Sequence, residues 1–368
     1  MYIQNRLGIN ISDYYILNIN KLRNFKFKQM NNDSKIGNIG EINLIKIIEE
    51  LVFKKTGKSL VSDDSFFFKL EDEKRGNLLV LNSDMLVSTT DVPPKMSFYQ
   101  IGRKSVIMNL SDILVKGVKP RGLIISLGLP PELKKGEFIE IINGIVDSSL
   151  EFDIDYIGGD INETKELIIN PTVFGSKSHS DIIYRRGINV GDILATNGKF
   201  GLTGVGFDIL LNRGGDFESF PKYKRSIMSV LEPKISGVEA LILSNRQLTT
   251  SSIDSSDGFS KTLLDLMKSN PNLGFEINFN ENLIETEAKL YSQEFNVSLE
   301  DLVFNAGEEY IHFFTIPANN FSKAYKVIQT YAGNLLKIGK VISEESIYIL
   351  KENIRSELKS NGYEHFSK

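Results

Sequence analysis

Apolar and polar positions alternate along most of this chain in patterns that predict regular elements. GEINLIKIIEELV (40–52) mixes apolar and charged residues at the spacing of an amphipathic helix. NLLVLNSDMLVS (77–88) predicts a strand that runs directly into Asp84. Residues 97–117 predict a helix that ends at Gly117, because a glycine commonly follows the last helical turn.

The stretch 121–175 predicts a strand, a helix and two further strands. Asp160 follows two glycines directly after the third of these elements, where glycines suit either a close approach to a bulky ligand or a hairpin turn. A new set of strands and helices begins at RRGINVGD (185–192). The pattern predicts an extension and two domains, with bounds 1–35, 36–178 and 179–368.

Two glycine-containing segments of the second domain are candidates for ligand contact. GKFGLTGVG (198–206) could present backbone N–H groups to a phosphate, but it matches neither the Walker nor the dinucleotide pattern. IDSSDGFSKTLLDLM (253–267) predicts a short strand and then a helix with Ser255 or Ser256 as N-cap. Asp257 would then lie in the first helical turn, where a carboxylate is favourable even without a function.

Aspartates recur in five turn-like settings flanked by glycine or serine. Carboxylates gathered in one place repel one another and raise each other's pKa, so a fold that collects them needs cations between them. The pattern therefore suggests a magnesium-dependent phosphate site. The five stretches are VSDDS (61–65), NSDM (82–85), NLSD (109–112), GGDIN (158–162) and IDSSDG (253–258).

Asp112 has two interpretations on sequence alone. It lies near the carboxyl end of its predicted helix, where the macrodipole disfavours a negative charge by about 0.3–1 kcal/mol. A bound cation would remove that conflict. Alternatively, Asp112 pairs with Lys116 in the favourable acid-before-base order.

The amino-acid composition restricts which metals and which classes of partner the chain could bind. The chain has no cysteine and three histidines, so disulfides, thiol catalysis and zinc or copper sites are not expected. Oxygen ligands favour magnesium, manganese or calcium. A net charge of −4 does not favour binding to the negatively charged backbone of nucleic acid. No apolar run approaches the roughly 18 residues that span a bilayer, and no signal-peptide core is visible, so we expect a cytoplasmic protein without a membrane partner.

In their order, these motifs resemble those of thiamine-monophosphate kinase. That family lies in a superfamily with aminoimidazole ribonucleotide synthetase, selenophosphate synthetase and a hydrogenase-maturation ATPase. The resemblance covers about residues 36–366. The motifs that carry it are VSDDS, NSDMLV, NLSDILVKGVKP, YIGGD, RRGINVGD, IDSSDGF, AGEEY and GYEHF.

The resemblance implies an α/β (α+β) fold of two domains, each with a four-stranded sheet and helices. By the same resemblance, the amino-terminal sheet would be ferredoxin-like and would pair with that of a second copy to form a barrel in a homodimer. ATP and Mg²⁺ would bind in a cleft at the dimer interface. The implied enzyme is a thiamine-phosphate kinase that transfers the γ-phosphoryl group of ATP in line, with several Mg²⁺ ions, to the phosphate of thiamine monophosphate.

Carried over residue by residue, the resemblance also implies a set of site residues. Tyr363 would stack on a substrate ring, although a tail residue could equally fill a hydrophobic gap. The implied catalytic residues are Asp84, Asp112 and Asp257, and the metal ligands are Asp64, Asp84, Asp112 and Asp257. The implied cofactor-binding residues are Asp63, Ser83, Asn109, Asp160 and Ser256, and the substrate-binding residues are Asp254 and Tyr363.

Three departures from the family pattern stand out. Ser62 replaces the glycine before the double aspartate, and AGEE (306–309) replaces Gly-Gly-Glu-Asp. STTDV (88–92) replaces Glu-Gly-x-His-Phe, where the family approaches its acceptor. The alternatives are another enzyme of the superfamily with a different small acceptor, and a non-catalytic ATP-binding paralogue. The absence of cysteine argues against two of the sister enzymes, and the GYEHF tail argues against aminoimidazole ribonucleotide synthetase.

Overall fold

The structure is a computed structural model that describes residues 41–57, 59, 63–69 and 76–358. Helix α1 (Glu41–Thr56) confirms the predicted amphipathic helix and belongs to one compact unit, while Asp63 begins a second. Several predicted features lie outside the described residues, namely the extension 1–35, Gly40, Ser62 and the tail residues Gly362, Tyr363, His365 and Phe366.

The described part of the second unit contains ten α-helices. They are α2 (Ser88–Asp91), α3 (Phe98–Leu114), α4 (Lys135–Glu151), α5 (Leu202–Phe207), α6 (Lys224–Leu231), α7 (Val238–Asn245), α8 (Phe259–Ser269), α9 (Thr286–Phe295), α10 (Leu299–Phe304) and α11 (Ala318–Gln329).

The strands of the second unit form two sheets. The first contains β1 (Phe66–Lys69), β2 (Asn77–Asn82), β3 (Leu86–Val87), β4 (Pro120–Leu129), β5 (Asp155–Glu163) and β6 (Ile168–Ser178). The second contains β7 (Ile193–Thr196), β8 (Ser251–Ser255), β9 (Gly274–Asn278), β10 (Ile311–Ile316), β11 (Leu336–Ile342), β12 (Ile347–Lys351) and β13 (Ile354–Glu357).

The first sheet has the order β1-β2-β6-β4-β5, with β3 paired to β6. Its β4–β5 pair is parallel and its other pairs are antiparallel. The second sheet has the order β13-β12-β9-β11-β7-β10-β8, and among its described strands the β12–β9 pair is parallel while the other pairs are antiparallel. This confirms the predicted mixed α/β class. Both sheets exceed the four strands expected, because short edge strands such as β1 and β13 extend them.

Helices α3 and α4 pack against one another beside the first sheet. Ser97 caps α3 and forms a capping box with Gln100, which explains why the helix begins where the sequence predicted. The two helices approach closely at glycines. A Cβ on Gly102 would lie 2.0 Å from the carbonyl oxygen of Ile141, and one on Gly144 would lie 2.0 Å from that of Tyr99. This close packing fixes the helix that carries Asp112.

The second sheet has an aromatic core at its centre. Phe200, Phe259 and Phe313 pack with ring centroids 4.9–5.3 Å apart. Phe259 is the first residue of α8, so its burial anchors the start of that helix next to β8. The segment between β8 and α8, which carries Asp257, is thereby held at the edge of the sheet.

Strand β5 differs from both sequence interpretations of its two glycines. Asp160 lies within β5 rather than after it, and the glycines form neither a hairpin turn nor a ligand-facing loop. A Cβ on Gly159 would lie 1.8 Å from the carbonyl oxygen of Ile125, so a glycine is needed for β5 to pair closely with β4. Among the described helices, none combines the length and the apolar character needed to cross a bilayer.

Candidate active site

Asp84 is held by the helix that also supplies Asp112. It follows β2, and its backbone N–H donates to Asn109 Oδ1 at 2.7 Å while its carbonyl accepts from Asn109 Nδ2 at 2.9 Å. Asn109 Nδ2 also donates to the carbonyl oxygen of Ser105 at 3.0 Å. Asn109, predicted to bind the cofactor, is buried and directs its amide at the Asp84 backbone, so it positions this aspartate.

Asp254 comes from the other sheet, near the end of β8. Ser111 Oγ donates to Asp254 Oδ2 at 2.7 Å, which links α3 to β8. His312 is paired with Asp254 in the register of β8 and β10, and its Nε2 lies 3.5 Å from Ser111 Oγ. Burial lowers the pKa of His312 to about 3, so its imidazole is neutral and adds no charge to the site.

Asp63 and Asp64 are held by two cations, Lys116 and Arg185. Lys116 Nζ lies 2.7 Å from Asp63 Oδ1 and also pairs with Asp64 Oδ2. Arg185 pairs with Asp64 Oδ1 through its guanidinium group, and its backbone N–H donates to Asp63 Oδ2 at 3.0 Å. The alternative in which Lys116 pairs with Asp112 is therefore wrong, because the turn after α3 directs the lysine toward the double aspartate.

These aspartates converge on one cavity of about 230 Å³. Carboxylate oxygens of Asp64, Asp112 and Asp254 lie within 4.8 Å of one another, close enough to share a metal ion. Seven of the sequence-predicted residues line the cavity, namely Asp63, Asp64, Asp84, Asp112, Asp254, Ser256 and Asp257. The cavity is also lined by Phe66, Asn82, Arg185, Ile253, Lys261, Thr262 and Asp265.

The charge within this cavity is only partly compensated. Burial, followed by the charges of Asp254 and Asp84, raises the pKa of Asp112 well above its usual value. Burial and the nearby Asp64 raise the pKa of Asp254 to about 7. For Asp64, burial disfavours the charged form, but Arg185 and Lys116 outweigh it and lower the pKa. A cluster of oxygen ligands with excess negative charge fits Mg²⁺.

Asp257 lies before α8 rather than in its first turn. The N-cap is Gly258, whose φ is 98°, and neither Ser255 nor Ser256 caps the helix, so that prediction was wrong. A Cβ on Gly258 would lie 3.0 Å from the carbonyl oxygen of Ala306, so the left-handed glycine permits close contact with the segment 305–307. Asp257 consequently projects from a loop at the cavity and is not explained by helix capping.

Two other predicted residues do not line the cavity. Ser83 Oγ lies 2.9 Å from Thr172 Oγ1 and donates to the carbonyl oxygen of Pro171 at 3.2 Å. Asp160 is exposed on the edge strand β5. Their predicted contacts with the cofactor stay predictions.

Comparison with known proteins places this geometry in a family. Residues 62–176 match the model of the AIR synthase related protein, N-terminal domain. The chain is 33% identical to the thiamine-monophosphate kinase of Nitrosopumilus maritimus over 332 residues, which is 89% of this chain and 99% of that protein. It is 30% identical to the enzyme of Pyrococcus horikoshii over 83% of this chain and 90% of that one. The chain belongs to the thiamine-monophosphate kinase family.

Solved structures agree on the fold. A structure of AaThiL in complex with AMPPCP and TMP is similar with a TM-score of 0.77, at 21% identity, over 91% of this chain and 100% of that one. The thiamine monophosphate kinase of Aquifex aeolicus gives a TM-score of 0.70, at 21% identity, over 84% and 97%. A HypE–HypF complex gives 0.66 at 15% identity, over 85% and 99%.

Several cavity residues of this family member were missed from sequence. Asn82 Nδ2 donates to Asp84 Oδ2 at 3.2 Å and also to Asp112 Oδ2, so it bridges two of the aspartates. Asn82 belongs to the NSDM motif, but its uncharged amide did not identify it as a candidate site residue. Lys261 pairs with Asp265 at 2.9 Å, and this i,i+4 spacing could have identified the pair. Arg185 belongs to the RRGINVGD motif, but its ion pair with Asp64 joins residues 121 positions apart, so sequence spacing could not predict it.

The segment that departs most from the family pattern contacts the AGEE motif through a buried lysine. Lys104 Nζ donates to the carbonyl oxygen of Asp91 at 2.6 Å and to Glu308 Oε1 at 2.6 Å. Glu308 has a φ of 59°, a left-handed conformation that its hydrogen bond from N–H to the Ser256 carbonyl holds in place. Lys104 thus joins the 88–92 segment to the loop that packs on Asp257.

The glycine-rich loop 198–206 has a protein ligand in place of a phosphate. Glu309 Oε1 accepts from the backbone N–H of Gly201 at 2.7 Å and of Thr203 at 3.3 Å, and from Thr203 Oγ1 at 3.2 Å. Burial raises the pKa of Glu309 to about 7, although these hydrogen bonds favour its charged form. Two backbone N–H groups of this loop therefore already bind a carboxylate of the same chain.

Glu309→Gln should flatten the dependence of Tm on pH. A carboxyl whose pKa is raised in the folded protein holds its proton there but loses it in the unfolded chain, so it makes the protein less stable as pH rises from about 4.5 to about 7. Glutamine retains a carbonyl acceptor without the charge. We expect a Tm at pH 8 equal to or above that of the wild type, and a smaller decrease in Tm between pH 5 and pH 7.5, measured by scanning calorimetry. An unchanged slope would contradict the assignment.

Proposed function

We propose that this chain phosphorylates thiamine monophosphate with ATP and forms thiamine diphosphate and ADP. The observation that carries the proposal is the cavity in which Asp64, Asp112 and Asp254 bring carboxylate oxygens within 4.8 Å, in a chain of the thiamine-monophosphate kinase family. The structurally similar AaThiL was studied with AMPPCP and TMP, an ATP analogue and the proposed acceptor.

The residues of the cavity suit a reaction between two polyanions. Asp64, Asp84, Asp112, Asp254 and Asp257 would hold Mg²⁺ ions. When bound, these would neutralise phosphate charge and orient the phosphoryl groups. The positive side chains in the described lining, Arg185 and Lys261, would contact phosphate oxygens.

No strong base is needed for this transfer. A phosphate monoester has a second pKa of about 6 and is largely dianionic at neutral pH. His312 is buried and neutral and does not line the cavity, so it is not positioned to act as a base toward the acceptor. Positioning and charge neutralisation would therefore supply most of the catalysis.

We propose a direct in-line transfer without a phosphorylated enzyme. An oxygen of the acceptor phosphate forms the new P–O bond while the bond from the γ-phosphorus to the β,γ-bridging oxygen breaks, and ADP leaves. One such displacement inverts the configuration at phosphorus. A γ-thio analogue of ATP that is chiral at the γ-phosphorus should therefore give a thiamine diphosphate product with inverted configuration at that phosphorus. Retention of configuration would require a covalent intermediate and would contradict the direct transfer.

The function is tested by incubating the purified protein with ATP, Mg²⁺ and thiamine monophosphate and separating the products by chromatography. We expect thiamine diphosphate and ADP in equal amounts, and neither product when EDTA replaces Mg²⁺. ATP binding without turnover would favour the non-catalytic paralogue. Turnover only with other phosphorylated small molecules would favour a different acceptor.

The tail gives a prediction about the acceptor. If Tyr363 stacks on a thiamine ring, the stacking is worth about 0.5–2 kcal/mol, which corresponds to a roughly 2- to 30-fold higher KM for thiamine monophosphate in Tyr363→Ala. The KM for ATP should not change, and Tyr363→Trp should match or improve on the wild type. Equal weakening toward both substrates, or no change toward either, would show that the ring only fills a gap.

We also propose that the protein is a homodimer through its first sheet. The edge strand β5 and its neighbour β4 expose apolar side chains, with Tyr156, Ile157 and Ile161 at 42%, 58% and 62% exposure. Such a face favours a second copy of the chain. Light scattering should give twice the chain mass at micromolar concentration, and an active monomer there would contradict the proposal.

We also propose a division of the chain into two domains and a cytoplasmic location. Residues 36–178 and 179–368 would be the two domains and 1–35 an extension, which limited proteolysis would test by cleavage near these bounds. A substrate set of ATP and a phosphorylated vitamin fits a cytoplasmic enzyme, and fractionation of cells with an activity assay would test that location.

A further inference from the structure

Lys116 is a buried cation that lies behind the acidic cavity. It lies in the turn after α3 and its side chain has 0% exposure, yet it does not line the cavity. A lysine is almost never fully buried unless it is paired. Its position differs from that of Arg185, which lines the cavity and pairs with the same carboxylate.

The ammonium group of Lys116 contacts three oxygen atoms. Nζ donates to the carbonyl oxygen of Ser252 at 2.8 Å and forms ion pairs with Asp63 Oδ1 at 2.7 Å and with Asp64 Oδ2. The folded chain therefore compensates the buried charge of this lysine. Two of these oxygens belong to the double aspartate, and the third belongs to the second sheet.

The backbone around Lys116 is fixed from the same side. Ser252 Oγ donates to the carbonyl oxygen of Val115 at 2.6 Å, and the N–H of Ile183 donates to the carbonyl oxygen of Lys116 at 3.1 Å. These bonds hold the turn against the second sheet and the segment that follows the first. The positive charge is thus fixed in position, and Asp63 and Asp64 both contact it.

Asp63 is fully engaged in this arrangement. Its Oδ1 forms an ion pair with Lys116 and accepts from the backbone N–H of Asp64 at 2.8 Å, and its Oδ2 accepts from the backbone N–H of Arg185 at 3.0 Å. Asp63 can turn an oxygen toward a ligand only by losing one of these bonds. It therefore connects the fixed cation to Asp64, whose oxygens lie near those of Asp112 and Asp254.

We propose that Lys116 is a positioning residue that acts as a resident counter-cation. It keeps the segment of Asp63 and Asp64 in its ligand-bearing arrangement in the metal-free protein, a task that a bound divalent cation would otherwise perform. This inference depends on the Mg²⁺ site of the proposed function, but not on the reaction or its acceptor. Its test consequently measures stability and uses no substrate.

The proposal predicts that Lys116→Met makes stability depend on Mg²⁺. Methionine preserves most of the side-chain volume but leaves two buried carboxylates without their counter-charge, which should lower Tm in EDTA by at least about 6 °C. Mg²⁺ should bind the variant more tightly than the wild type, because a repelling charge is gone. A ligand that binds the folded state stabilises it, so about 10 mM Mg²⁺ should close more than half of the gap in Tm.

Lys119→Met is the matched control. Lys119 lies in the same turn region, but its side chain is 63% exposed and pairs with the exposed Asp153. This variant should follow the wild type with EDTA and with Mg²⁺. If Mg²⁺ left the difference in Tm between Lys116→Met and the wild type unchanged, the lysine would act only through packing. That result would overturn the proposal.

A double variant keeps the test decisive if Lys116→Met alone does not fold. Asp63→Asn combined with Lys116→Met removes one negative and one positive charge together. If the lysine acts through its charge, the double variant should be more stable in EDTA than Lys116→Met and less responsive to Mg²⁺. A double variant that loses the sum of the two single effects, or that also fails to fold, would overturn the proposal.

Discussion

Asp84→Asn and Asp257→Asn should each lower turnover by at least about a hundredfold with little loss of stability. Both carboxylates line the cavity and would hold Mg²⁺ there, and an amide oxygen is a weaker ligand for a hard cation. Removing a charge from a crowded acidic cluster also relieves repulsion, so Tm without metal should hold or rise. Steady-state kinetics with saturating ATP and thiamine monophosphate measures the first effect, and calorimetry measures the second.

Asp153→Asn provides the matched control for these two variants. The Asp153 side chain is 86% exposed, and its φ of 55° is a left-handed conformation that asparagine also tolerates. It should keep wild-type turnover and a similar Tm. Near-native turnover in Asp84→Asn or Asp257→Asn would show that the assignment of that aspartate is wrong.

Asp254→Asn should combine an equally large loss of turnover with a gain in stability. Asp254 is buried in β8, and the pKa of its carboxyl is raised to about 7 by burial first and Asp64 second. At pH 8 the folded protein must bury this charge, whereas the unfolded chain leaves it in water. An asparagine keeps an acceptor for Ser111 Oγ without the charge. In EDTA we expect a Tm at pH 8 higher by on the order of a few °C.

The pH dependence gives this variant its own control. A raised carboxyl pKa makes the wild type lose stability as pH rises from about 4 to about 7, so the gain from Asp254→Asn should be small at pH 5 and larger at pH 8. Ser111→Ala removes the hydrogen bond but keeps the charge, and should not raise Tm. If Asp254→Asn were destabilising at pH 8 in EDTA, the carboxylate would be compensated by the protein itself.

The elements that carry the site could be read from local patterns. Ser97, the apolar face of α3 and Gly117 are neighbours in sequence, so the helix with Asp112 was predicted close to its observed bounds. The strand before Asp84 was predicted as well, although 77–88 divides into β2, which ends at Asn82, and the separate short strand β3. Local propensity and periodicity were sufficient because tertiary contacts agree with them at these positions.

The partners of the aspartates depend on contacts between the sheets and could not be predicted from spacing. Lys116 lies one helical turn after Asp112, which favoured that pair, but the chain turns at Gly117 and the lysine points at Asp63. Likewise, the sequence suggests that Asp257 lies in the first turn of a helix. In the structure, Gly258 has a φ of 98° and lies close to the carbonyl oxygen of Ala306, and the helix begins only after it. In both cases a glycine changes the direction of the chain and so changes which groups meet.

Asp160 illustrates a further limit. A pair of glycines before an aspartate suits a turn or a ligand loop in sequence, whereas here Gly159 allows two strands to approach. The need for that approach comes from Ile125 on β4, which lies far away in the chain. Most of the predicted acidic residues do line one cavity, but Asp160 does not, and Asp265 lines it without having been predicted. Sequence spacing could not show which neighbours of these aspartates pack and which pair with their charge.

The most direct test follows one reaction mixture by phosphorus NMR. Wild-type protein, ATP, thiamine monophosphate and Mg²⁺ should give rising signals of thiamine diphosphate and ADP in equal amounts, with inorganic phosphate staying at background. The signals should be absent with EDTA and at least about a hundredfold slower with Asp84→Asn. Phosphate release without thiamine diphosphate, or product formation that continues in EDTA, would contradict the account of this chain as a metal-dependent thiamine-monophosphate kinase.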